Sequence, residues 1–151
     1  MSPRRTRIQK VIEVREKELD KRVATLSERR AAEARALSEQ EQRKSELEQA
    51  SESRLKLAKN EISAKNWVEA NEWLTGRRLS HEKARVATAL ATGEAERAKG
   101  EVLSARSDLK KVELLSKRIR AQEHAEERRV EQKLEDELGS LRFRAVRKDG
   151  K

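Results

Sequence analysis

The sequence predicts an all-α protein: a long antiparallel two-helix coiled-coil hairpin that takes in residues 1–151 as a single domain. Three observations lead there. Ala, Glu, Lys, Arg and Leu supply 96 of the 151 residues, well above the roughly half that marks long helices and coiled coils. The one proline stands at position 3, so nothing downstream forbids helix. Leu, Ile, Val and Phe number 30 in all, which is too little apolar matter for a compact core and near the composition at which chains stay disordered.

The elements follow in order. Ser2 before Pro3 is a helix start, because the hydroxyl can accept an orphan backbone N–H while the proline ring supplies a helical φ and has no donor to leave unpaired. Ile8, Ile12, Leu19, Val23, Leu26 and Leu37 then keep to one stripe, with Arg15, Arg22 and Arg30 filling seam positions through their aliphatic stems. Leu47, Leu55, Ala58 and Ile62 continue it loosely toward Trp67. The first helix is expected over residues 3–74. The best break is WLTGRRLSHEK: Gly76 suits a helix C-terminus and Ser80 an N-cap, with Glu82 in the first turn behind it. A turn over 75–80 and a second helix over 81–147 give two arms of about 70 residues, roughly 105 Å each, and neither is stable alone in water.

In the second arm Val86, Leu90, Val102, Ala105, Leu109, Val112 and Ile119 carry the stripe. Val130, Leu134, Leu138, Leu141 and Ala145 resume it after a polar gap at 122–127 that shifts its phase. Gly93 and Gly100 permit either close helix approach or a soft bend. Opposite charges three or four apart line the outer faces.

Charge is placed unevenly. The chain carries 37 Lys and Arg against 28 Asp and Glu, a net of +9. Arg4, Arg5, Arg7 and Lys10 give the first ten residues +4, and Arg142, Arg144, Arg147, Lys148 and Lys151 against Asp149 give the last ten the same. Equal arms put residue 5 beside residue 149 and merge the two basic tails at the open end. That concentration repels itself and favours a partner surface of acidic character; frayed, solvated helix ends are the plainer alternative. Trp67, Trp73 and Leu74 gather near the expected bend with Val68 and Leu79. They either cap the hairpin or form a distal binding patch.

Catalytic chemistry is not indicated. His81 and His124 are isolated and expected in solvent, the carboxylates alternate with bases, and no glycine-rich phosphate loop occurs. The expectation is a non-enzymatic protein with no cofactor, no metal and no small-molecule substrate. Nucleic acid is not the expected partner either, since a dense basic region ahead of clean Leu heptads and interleaved stacking aromatics are both missing. There are no cysteines, no apolar run long enough to span a bilayer and no secretory signal, so a cytoplasmic protein is expected.

Near the C-terminus, Arg129-Val130-Glu131-Gln132-Lys133 followed by Asp136-Glu137 resembles the Arg-x-Glu-Gln-Lys and Asp-Glu pattern of the FliJ family of bacterial type III export, and RIQKVIEVREKELD is similar to that family's openings. The resemblance implies a stalk-like component of flagellar or injectisome export. Its open end would enter the pore of a hexameric export ATPase and stimulate it, and its body would link that ring to the cytoplasmic domain of the export gate, with export chaperones as further partners. Contact with the membrane would come only through the export complex, at its inner face. On this reading Arg4, Arg5, Arg7, Arg142, Arg144, Arg147 and Lys148 contact the ATPase. Glu131, Gln132, Asp136 and Glu137 fix helix pairing or touch the ring mouth, and Trp67, Trp73 and Leu74 face the gate or cap the hairpin. The alternatives are a generic coiled-coil scaffold or spacer, and a helical nucleic-acid binder. Flagellum or injectisome, and hairpin monomer or extended dimer, stay open.

Overall fold

The structure is a computed structural model that describes residues 2–149. It consists of two helices packed against each other, α1 over Pro3–Ala58 and α2 over Ala64–Asp149. The connection is residues 59–63, not the expected 75–80. Lys59 and Asn60 donate their amides to the carbonyls of Lys56 and Leu57, tightening the last turn of α1. Ser63 caps α2, its Oγ accepting the Asn66 N–H at 3.2 Å.

Gly76 lies inside α2, without a positive φ, and Ser80 lies in the same helix. A glycine in a helix costs about 1 kcal/mol relative to alanine. Packing outweighs it here, because Leu74 on one side of Gly76 is 2% exposed and Arg77 on the other reaches Glu46 at 2.9 Å. The helices therefore differ greatly in length, 56 and 86 residues.

Contacts divide the chain into two units, residues 18–105 and residues 1–17 with 106–151. In the first, which holds the connection, ion pairs define the register. Arg22 meets Glu101 at 2.8 Å and Arg29 meets Glu94 at 2.9 Å, one heptad on in α1 and one heptad back in α2. Such exposed, solvent-screened pairs contribute little to stability, so the seam must do the holding. Its buried members are mostly small: Ala50, Ala95 and Ala98, with Leu74 and Val102. Ala84 and Ala91 continue the same three-four spacing half-buried. Thr88 is buried among them, its hydroxyl 3.1 Å from the Ala36 carbonyl across the seam and 3.0 Å from that of Ala84.

Alanine thus forms much of the seam, at positions that the apolar pattern of larger residues does not include. Leu37, Val86 and Leu90 are exposed, each beside or between smaller seam members. The reason is geometric: small side chains let two helices approach closely, and Val86 and Leu90 fall off the line of the seam positions 84, 88 and 91.

In the second unit Ile12 and Ile119 are buried, with Ile8, Leu109 and Val112 half-buried around them. Ser2 caps α1, its Oγ accepting the Arg5 N–H at 3.1 Å and its carbonyl accepting the Thr6 N–H at 3.1 Å. The same hydroxyl donates to Glu123 Oε1 at 2.6 Å, and Arg5 forms an ion pair with Glu123. Residue 5 therefore stands beside residue 123 and not residue 149, and the basic tails do not merge.

Candidate interaction surface

The surface of interest begins where α1 ends its cover. From Glu126 to Lys148 every residue of α2 is exposed. An open cleft of about 610 Å³ marks the step, lined by Ser2, Arg5, Glu123, Glu127 and Val130 among others. The Ser2 hydroxyl, and then the Arg5 guanidinium, hold the Glu123 carboxyl below its ordinary value.

Past the step, Val130, Leu134, Leu138 and Leu141 lie between 54% and 60% exposed. Of the four charged or polar residues expected to fix helix pairing or touch the ring mouth, Glu131 lines the cleft with Arg5 of α1, whereas Gln132, Asp136 and Glu137 are exposed beyond it and pair with nothing on α1 among the described residues. Arg129 and Lys133 share the same exposed stretch. The basic residues separate into two places. Arg142, Arg144, Arg147 and Lys148 are exposed at the far end of α2, whereas Arg4 and Arg7 are exposed at the step and Arg5 is half-buried there on Glu123.

The aromatic group also separates. Leu74 is core, not patch. Trp67, next to the connection, is half-buried under the Arg54 guanidinium, 5.1 Å from its ring centroid. Trp73 is 47% exposed with Arg77 at 5.7 Å, beside the bare backbone of Gly76. His81 is half-buried rather than in solvent, while His124 is exposed, 3.9 Å from Glu127.

The residue that sequence reasoning passed over is Glu123. It lies in the polar gap at 122–127, whose pattern reads as a phase shift inside a paired helix, and that gap is where α1 begins beside α2. Among the described residues no group of three or more His, Asp or Glu is placed to hold a metal ion, and no helix is long and apolar enough to cross a membrane.

The fold and its surface define a helical-hairpin protein whose exposed features are a one-helix extension and a part-exposed tryptophan. A family model described as the flagellar FliJ protein matches residues 4–148, and the chain belongs to that family. The match makes it a flagellar export-related protein of a non-enzymatic family that associates with the export apparatus. No curated protein and no solved structure matches the chain.

Proposed function

We propose that the chain is a stalk-like component of the export machine, which enters a hexameric export ATPase ring and stimulates its turnover. The observation that carries this reading is the single-helix extension 126–148, exposed on every side and ending in Arg142, Arg144, Arg147 and Lys148. A lone helix about 10–12 Å across fits a ring pore more readily than a helix pair, and its terminal bases are suited to steering it toward acidic loops. Arg4, Arg5 and Arg7 stand back at the step, where they would meet the ring mouth. Arg129, Glu131, Gln132, Lys133, Asp136 and Glu137 lie along the inserted part. Trp73, part-exposed on α2, is the residue proposed to face the cytoplasmic domain of the export gate. Export chaperones are further partners, and the protein sits at the inner face of the membrane through this complex.

The test is stimulation of, and co-purification with, the cognate export ATPase by the full chain and by the triple variant Arg142→Glu, Arg144→Glu, Arg147→Glu. The reading expects the variant to lose both while its helicity is unchanged. Wild-type stimulation by the variant would remove the extension from the docking model.

A further inference from the structure

The extension carries an apolar stripe that its own hairpin cannot cover. Leu134, Leu138, Leu141 and Ala145 are spaced four, three and four, the step pattern of a coiled-coil seam. Leu134, Leu138 and Leu141 are 54%, 54% and 60% exposed. Moreover, the stripe is out of phase with the hairpin. Ser116 and Glu123, half-buried against α1, lie a heptad apart, and further heptads from them reach Val130, Glu137 and Arg144. Leu138 and Ala145 each fall one residue later, so even a longer α1 continuing in register would face Glu137 and Arg144 and leave the stripe open.

Charge says what covers it. Residues 131–137 hold Glu131, Glu135, Asp136 and Glu137 against one base, Lys133, while residues 141–148 hold four bases and no acid. One segment is therefore acidic in its first half and basic in its second, the pattern that complements itself when two copies run antiparallel.

We infer that this face is a homodimer interface, with a second copy of the chain as its occupant, antiparallel along 130–148. Leu138 then packs on the partner's Leu141, and Leu134 on the partner's Ala145. Glu137 comes opposite the partner's Arg144, Glu135 opposite the partner's Arg142, and Glu131 opposite the partner's Lys148. A parallel pair would stack Glu131 on its own copy and Lys148 on its own copy. The two hairpins leave from opposite ends of the antiparallel pair, so their bulk does not collide. The dimer also lays each basic tip against acid, which makes it exclusive with any other use of that tip.

Sedimentation equilibrium on the purified full chain tests the inference. A monomer–dimer equilibrium is expected, weakened at least about tenfold by Leu138→Arg and by Glu137→Arg, with the pair Glu137→Arg and Arg144→Glu regaining the wild-type constant. Geometry is read separately. Because the chain has no cysteine, one spin label at Ser140→Cys should report a short distance between copies, and one at Arg128→Cys about 35 Å. A protein that stays monomeric at high micromolar concentration overturns the inference. So does a dimer indifferent to Leu138→Arg, or short distances at both labels.

Discussion

Ser2 and Glu123 share a 2.6 Å hydrogen bond, and that contact places the first turn of α1 beside the middle of the second half of α2. From Glu126 to Lys148 every residue of α2 beyond it is exposed. The clasp is polar and contains the N-cap of α1, so it couples the start of one helix to the register of the pair.

Removing the clasp has a local cost. Ser2→Ala loses both the cap and the link to Glu123, and a lost N-cap is worth about 1 kcal/mol. Amide exchange at Thr6, whose N–H is held by the Ser2 carbonyl, should speed up while exchange in the alanine-rich seam does not.

The same clasp is pH-dependent in a defined direction. Glu123 is more acidic in the folded chain than in the unfolded one, so its contribution is complete above the ordinary Glu value of about 4.3. It is lost as pH falls through the lowered folded value. Backbone shifts of Arg4, Arg5 and Thr6 should be flat from pH 8 to 6 and move below about pH 4, and Glu123→Gln should abolish that movement.

The small-residue seam makes an inverted prediction about size. Ala95 is fully buried, and Ala95→Leu should destabilise by about 1–3 kcal/mol through overpacking. Gly93, two residues away, has open space around an added Cβ and no positive φ. Gly93→Ala should therefore stabilise by up to about 1 kcal/mol. Urea titrations of both variants check the pair of signs.

Leu74 and Trp73 are neighbours with opposite roles. Leu74→Ala should cost about 2–5 kcal/mol as a buried truncation. Trp73→Ala loses a part-exposed contact with Arg77, worth about 0.5–1 kcal/mol. Thermal unfolding separates the two, and equal effects would mean that Trp73 is packed in solution.

The hairpin itself was legible in the sequence, as was its first residue: absent prolines and the Ser2-Pro3 pair carry direct backbone consequences. The turn was not. Gly76 has the stronger local propensity to end a helix, but Leu74 and Arg77 bury against α1 and carry the helix through, while Asn60 and Ser63 are modest signals set in a polar stretch. Gly76→Ala consequently separates the two assignments, raising stability by about 0.5–1 kcal/mol inside a helix and lowering it in a left-handed turn. The seam was half legible for a related reason. Leu37, Val86 and Leu90 stand out by hydrophobicity, whereas Ala84, Ala91, Ala95 and Ala98 are the residues whose spacing is regular. The candidate site inherits the error in the turn: the C-terminal bases were identifiable, but their separation from Arg4, Arg5 and Arg7 follows only from the register.

That separation is the central claim, and double electron–electron resonance tests it most directly. Two doubly labelled chains suffice, Thr6→Cys with Arg120→Cys and Thr6→Cys with Val146→Cys, each diluted with unlabelled protein to suppress distances between copies. The account predicts a distance below about 20 Å for the first pair and about 40 Å for the second, from 1.5 Å of rise per residue. A short distance between Thr6 and Val146 would contradict it.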